Sequence, residues 1–126
     1  MAIVVDTSVL IDHLRGDEAA REALRGATAA GERLAASVLT KVEVLAGMRV
    51  AEERATRRLL DSLDWIEVDD ELAERAGVLA NRFLPSHPGV DPVDYVIAAT
   101  AERIDARLWT RNVRHFPMFP ELESPY

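Results

Sequence analysis

Apolar residues form short runs separated by longer stretches with helical spacing. The short runs predict four strands, over residues 2–5, 33–37, 65–68 and 107–110. The stretches between them carry apolar residues three or four positions apart, and they predict helices over residues 7–16, 17–30, 40–48, 52–63, 70–84 and 92–104. Strands that alternate with helices across short connections predict an α/β fold, a three-layer sandwich with a mostly parallel, short-stranded sheet flanked by helices.

Proline marks the two irregular parts of the chain. Residues 85–92 read PSHPGVDP and predict a loop, and the tail from Asn112 predicts a short helical turn followed by an irregular or edge-strand end. No linker interrupts the pattern, and 126 residues suffice for one hydrophobic core but not for two. We therefore expect a single domain over residues 1–126.

Composition narrows the kind of protein. Hydrophobic residues make up 48% and charged residues 29%, which is typical of a globular chain. The sequence has no cysteine, which excludes disulfides and thiolate zinc sites, and its three histidines lack the spacing of metal ligands. No apolar run approaches the roughly 20 residues of a membrane span, and the N-terminus lacks the basic start of a signal peptide. We expect a cytoplasmic protein without membrane contact.

The formal net charge of −7 argues against a protein that coats nucleic acid through a broad basic face. It is compatible with a phosphodiester hydrolase, because such an enzyme needs acids to hold a metal ion, and the ion supplies the positive charge at the scissile phosphate.

Three acids stand where the predicted strands and helices meet. Asp6 follows the first strand, Glu43 lies early in the helix predicted from Thr40, and Asp94 lies in the first turn of the helix after Asp91. Each has a structural alternative: Asp6 as an N-cap, Glu43 as half of a capping box with Thr40, and Asp94 as a first-turn acid that favours the helix dipole.

Convergence of the three acids would decide between these interpretations. Ligands of parallel α/β sheets bind beyond the carboxyl ends of the strands, and three acids from three helix starts could be gathered at one such end. Three carboxylates in a small volume repel one another by several kcal/mol unless a cation is present. A hard divalent ion with oxygen ligands, Mg²⁺ or its substitute Mn²⁺, relieves that repulsion.

Four segments resemble the ordered motifs of PIN-domain proteins. They are VVDTSVLID at the N-terminus, SVLTKVEVLAG around Glu43, DYVIAATAERI from Asp94 and ARLWTRNVRHFPMF near the end. Their order and spacing and the chain length are similar to those of the VapC toxins of toxin–antitoxin systems. The resemblance implies a catalytic site of Asp6, Glu43 and Asp94, with Asp6 and Asp94 as ligands of Mg²⁺ and Ser8 in the same pocket.

The last motif departs from the commonest pattern of this family, in which a fourth acid follows the final strand. Asn112 occupies that place and offers a carbonyl oxygen without charge, so we include it among the catalytic residues and leave open whether a second ion binds. Arg111 is a candidate for substrate phosphate contact, as is Arg114. His115 is a weaker candidate, since a lone histidine before Phe116 is more often partly buried structure.

The resemblance therefore implies a metal-dependent endoribonuclease that hydrolyses RNA of the tRNA or rRNA class, a homodimer, and a cognate VapB-like antitoxin as partner. Two alternatives stay open at this point. One is a PIN fold with little catalysis that acts as an RNA or protein binding module. The other is a HAD-like phosphatase, although that class needs a second acid where this chain has Ser8.

Overall fold

The computed structural model describes residues 1–126 and contains four strands and six α-helices. The strands are β1 (Ala2–Val5), β2 (Arg33–Ser37), β3 (Asp64–Ile66) and β4 (Arg107–Trp109). The helices are α1 (Thr7–Leu14), α2 (Glu18–Ala29), α3 (Val38–Ala46), α4 (Glu53–Asp61), α5 (Asp70–Phe83) and α6 (Pro92–Arg103). Two short 3₁₀ turns cover Val50–Glu52 and Val113–His115. None of the helices combines the length and the apolar character that crossing a membrane requires.

All strand pairings are parallel, and the order in the sheet is β3-β2-β1-β4. This confirms the predicted α/β sandwich. The chain builds the sheet outward from β1 to β3 and then returns to add β4 on the other side of β1, where Val5 pairs with Trp109. Such a change of direction opens a crevice beyond the carboxyl ends of the two strands.

The strands bury both faces of the sheet. Side chains alternate along β1, so that Ile3 and Val5 pack among the helices α1 to α4, and Val4 packs against α5 and α6 on the opposite face. Both faces are thus covered by helices, which explains why β1 reads as an uninterrupted apolar run.

Polar side chains cap the starts of several helices, and one helix begins earlier than predicted. Asp69 and Asp91 cap α5 and α6 by accepting hydrogen bonds from the backbone N–H groups of the first turn. Helix α3 begins at Val38 rather than Thr40, because the side chain of Ser37 accepts from the N–H of Leu39 at 3.2 Å. The capping box predicted for Thr40 is therefore wrong, and that explanation of the Glu43 carboxylate no longer applies.

Two predicted strands are longer than the observed ones, and the tail forms no strand. β3 ends at Ile66 instead of Val68, because its partner β2 ends at Ser37, the residue that pairs with Ile66. The tail after the 3₁₀ turn is irregular, and the edge-strand alternative is wrong. Instead, the apolar side chains of Phe116, Met118 and Phe119 pack against the cluster formed with α5 and α6.

Candidate active site

Asp6 lies at the carboxyl end of β1 and is 4% exposed. Its Oδ1 accepts the N–H of Thr7 at 2.8 Å, and its Oδ2 accepts the hydroxyl of Thr110 at 2.7 Å. The hydroxyl of Ser8 lies 3.4 Å from the same Oδ2. Burial raises the pKa of Asp6, although the hydrogen bond from Thr110, followed by that from Thr7, opposes the rise. Asp6 caps α1 and also presents its carboxylate to the crevice, so the two interpretations of this residue are compatible.

Asp94 approaches Asp6 from the first turn of α6. Its side chain is 14% exposed, and Oδ2 lies 3.1 Å from Nδ1 of His115, whose side chain is 45% exposed. Burial, and then the negative charge of Asp6, raises the pKa of Asp94 to about 6. The carboxylate of Asp94 therefore points at the crevice and makes no helix cap, since Asp91 already fills that role.

Glu43 joins the same crevice from α3. Its Oε1 accepts the hydroxyl of Thr7 at 2.6 Å, a contact that spans 36 positions of the sequence. The carboxylate is thus directed toward the start of α1 instead of the backbone of its own helix.

The segment after β4 closes one side of the crevice. Ser8 Oγ accepts the N–H of Arg111 at 3.0 Å, and Thr110 Oγ1 accepts the N–H of Asn112 at 2.9 Å. The side chain of Asn112 makes no capping hydrogen bond to the 3₁₀ turn that follows. Asn112 therefore does not cap that turn through its side chain.

These side chains line one polar pocket of about 530 Å³. The lining residues are Asp6, Thr7, Ser8, Ile11, Asp12, Glu43, Asp94, Arg111 and Asn112. The pocket thus gathers six residues that the sequence singled out as catalytic, metal-binding or substrate-binding, but not the further candidate Arg114. His115 supports it from behind Asp94, and Arg114 is exposed outside it.

A larger cavity, of about 690 Å³, lies between α2 and α4. It is lined by apolar side chains together with His13, Arg21, Arg25 and Arg58, and it contains no carboxylate. The acid pocket is smaller, but it is lined by the carboxylates that can bind a metal ion. We therefore take it as the candidate active site.

The sequence analysis did not identify four polar residues of the site, which are Thr7, Asp12, Thr110 and Tyr126. Thr7 and Thr110 orient carboxylates, and Asp12 joins the acids in the pocket by accepting the hydroxyl of Tyr126. Thr110 had one usable signal: it is a polar residue directly after the fourth strand, the position that Asp6 holds after the first. Nothing in the sequence brings Tyr126 toward Asp12, since 114 positions separate them.

Comparison with known proteins agrees with this arrangement. The sequence model of the PIN domain matches residues 3–120. The chain belongs to the PIN-domain family. Two PIN-domain relatives come from Mycobacterium tuberculosis. Ribonuclease VapC19 is 47% identical over 123 residues, which cover 98% of both chains. Ribonuclease VapC10 is 46% identical over 124 residues, which cover 98% of this chain and 92% of the relative.

Solved structures with this PIN fold include a toxin–antitoxin complex from Klebsiella pneumoniae, with a TM-score of 0.82, 30% sequence identity and 98% of both chains covered. A VapBC2 structure from Rickettsia felis has a TM-score of 0.81 over 97% of this chain and 96% of its own, at 19% identity, and supports the fold alone. The family assignment excludes the HAD-like alternative, because the match to the PIN domain extends over nearly the whole chain.

Proposed function

We propose that this protein is a metal-dependent endoribonuclease and the toxin of a VapBC-type toxin–antitoxin pair. The observation that carries the proposal is the approach of two largely buried carboxylates, Asp6 and Asp94, at the open end of the sheet. Relatives that are 46–47% identical over nearly the whole chain are ribonucleases by name, which supports the same activity here.

The donor set fits a divalent cation. The charge of Asp6 contributes to raising the pKa of Asp94 to about 6, so each carboxylate disfavours the ionised form of the other. No group of three or more histidine, cysteine or acidic side chains converges closely enough to enclose an ion. Mg²⁺ is commonly held by one or two carboxylates and several waters, so Asp6 and Asp94 suit it, with Mn²⁺ as a substitute. When bound, such an ion acidifies a water and offsets charge on the phosphate.

The side chains around these acids have separable roles in the proposed reaction. Thr110 and Thr7 hold the two oxygens of Asp6 in place, and His115 holds Asp94. Glu43 accepts the Thr7 hydroxyl through Oε1, which leaves its other oxygen to orient the attacking water or accept its proton.

The substrate is RNA in unpaired regions, where the backbone is accessible and bases can be turned outward. Ser8, Arg111 and Asn112 line the pocket beside the acids and supply neutral and cationic donors for a phosphate. The tRNA or rRNA class follows from the family resemblance, and the dimer is likewise a prediction.

A cognate antitoxin of the VapB type fits the charge of the protein. The net charge of −7 and the acids of the pocket favour a partner segment that inserts a basic side chain beside Asp6 and Asp94. Copurification with the neighbouring gene product is expected to abolish cleavage at saturating partner, and undiminished cleavage would contradict this part of the proposal.

The decisive experiment is RNA cleavage across a titration of Mg²⁺ and Mn²⁺, with Asp94→Asn and Asp6→Asn beside wild type. We expect both variants to fold and to lose cleavage, because each removes one ligand charge at nearly constant volume. Asp91→Asn is the matched control, since asparagine also caps helices and Asp91 lies outside the pocket.

Cleavage by Asp94→Asn at the wild-type rate would overturn the site. Metal-dependent RNA binding by the wild type without any cleavage would favour the binding-module alternative instead.

A further inference from the structure

Tyr126 contacts two residues of the acid pocket that belong to different elements. Its hydroxyl donates to Oδ2 of Asp12, on α1, at 2.7 Å. Its ring lies against the guanidinium of Arg111, after β4, with 4.5 Å between the ring centroid and Cζ. The side chain is partly buried and packs against the apolar cluster on the α1 side of the sheet. Tyr126 therefore fixes the relative position of two charged groups on the pocket wall.

Tyr126 is also a direct contact of both charged groups, the Asp12 carboxylate and the Arg111 guanidinium. Arg111 forms no ion pair, and Asp12 accepts the tyrosine hydroxyl. Burial, and then the bond to Asp12, raises the pKa of Tyr126 well above its usual range, so the hydroxyl keeps its proton. A guanidinium has five N–H donors, so Arg111 keeps donors for other partners while its carbon lies over the ring and one N–H turns toward the tyrosine hydroxyl.

We propose that Tyr126 is a positioning residue that holds Arg111 flat at the pocket opening, so that the guanidinium edge binds a phosphate of the RNA backbone. This inference rests on the proposed function. The main chain of Arg111 is fixed from the other side by its N–H bond to Ser8, so the tyrosine constrains the remaining freedom of the long side chain. An arginine ordered before binding loses less conformational entropy when the phosphate arrives.

The test compares steady-state cleavage of one RNA oligonucleotide by wild type, Arg111→Ala, Tyr126→Leu, Tyr126→Phe and the double variant Arg111→Ala/Tyr126→Leu. Leucine keeps apolar bulk but removes the ring and the hydroxyl, whereas phenylalanine keeps the ring. Arg54→Ala, an exposed arginine on α4 outside the pocket, is the control for loss of one charge. Circular dichroism verifies that each variant is folded.

We expect Arg111→Ala and Tyr126→Leu each to raise KM about tenfold with kcat nearly unchanged, because a charge-assisted phosphate contact is lost. The double variant should be no worse than either single variant, and Tyr126→Phe, which keeps the ring but loses the bond to Asp12, should raise KM less than Tyr126→Leu does. The slope of log KM against log salt should fall by about 0.7 in both single variants, the value for one phosphate contact on a single strand.

Multiplying effects in the double variant, an unchanged KM for Tyr126→Leu, or a change confined to kcat would overturn the proposal. If Tyr126→Leu does not fold, Arg111→Lys replaces it: lysine keeps the charge but loses the planar stack, and an unchanged KM then contradicts the proposal. Absence of cleavage by wild type would refute the proposed nuclease function separately. The same variants are then compared by fluorescence anisotropy for affinity to the oligonucleotide, where unequal weakening overturns the role of Tyr126.

Discussion

Asp94 carries the most unusual charge environment among the acids of the pocket. Its pKa of about 6 in the folded protein lies above the ordinary 3.8. The folded state therefore binds more protons than the unfolded state between about pH 4 and pH 6, and stability falls as pH rises through this range. Ionised Asp94 is thus a cost to the metal-free fold at neutral pH.

We predict that Asp94→Asn is more stable than metal-free wild type at pH 7.5, by on the order of 1–2 kcal/mol, and that the gain shrinks toward pH 4.5. Urea unfolding in chelator, followed by circular dichroism, measures it. Asp70→Asn removes an exposed acid in the first turn of α5, a residue that does not contribute to the shifted pKa of Asp94, and it should show no such trend. A gain for Asp94→Asn that is equal at both pH values would contradict the pKa assignment.

Asn112 stands where the resemblance to PIN-domain proteins implies a fourth acid, and its side chain lines the pocket without a capping bond. At an effective dielectric near 20, a new charge about 4 Å from a divalent ion attracts it by several kcal/mol, most of which desolvation and repulsion from the other carboxylates offset. We expect the binding free energy of the ion to become more favourable by a net amount of about 1 kcal/mol.

We therefore predict that Asn112→Asp lowers the Mg²⁺ concentration for half-maximal cleavage about fivefold. The measurement is a metal titration of both proteins on one RNA. Asn81→Asp, which adds the same charge at an exposed position of α5, should leave the curve unchanged. Superimposable curves for Asn112→Asp and wild type would place Asn112 outside the metal site.

The sequence allowed us to identify the pocket residues that lie at strand ends and in the first turns of helices. Asp6 was found at the end of a local apolar run and Asp94 at a helix start marked by Asp91 and Pro92, and the resemblance to PIN-domain proteins joined them in one site. The groups that orient them were not accessible, since Thr110 bonds to Asp6 across 104 positions and His115 contacts Asp94 from the segment after β4. Such contacts depend on how the strands are ordered in space, which no local pattern records.

The helices and strands were predicted well because their apolar periodicity is strong, and the errors lie where neighbouring elements set the boundary. β3 is short because its partner strand ends early, and α3 starts early because Ser37 ends β2 and caps the helix at once. Each boundary is set by the contact between two elements, so it cannot be read from the periodicity of one element alone.

Gly26 in α2 and Gly31 in the connection from α2 to β2 allow the assigned backbone conformations to be tested. Gly31 follows the helix with φ of +77°, and Gly26 lies inside it; a Cβ at either position meets nothing within 4 Å. Gly31→Ala should cost about 1 kcal/mol of unfolding free energy, because alanine is strained at this φ. Gly26→Ala should add about 0.5–1 kcal/mol, because alanine favours a helix. Chemical denaturation of both variants measures the two effects, and equal signs would contradict the assigned backbone conformations.

At the scale of the whole molecule, two apolar clusters cover opposite faces of one sheet, and β1 contributes to both. We propose on this basis that residues 1–126 form a single domain. Urea unfolding followed by tryptophan fluorescence, from Trp65 and Trp109 on the α1 side, should coincide with unfolding followed by circular dichroism, which reports all helices. A separate transition for α5 and α6 would contradict a single cooperative unit.

The hydrogen bond between Asp6 and Thr110 affects when the acid pocket can form during translation. Its two partners are translated at different times, because they lie 104 positions apart in the sequence. At roughly 5–20 residues per second, the ribosome needs several seconds to make that interval. Until β4 has emerged and docked beside β1, Asp6 lacks its Thr110 partner and the pocket lacks one wall. The complete acid pocket therefore forms only after β4 has been made.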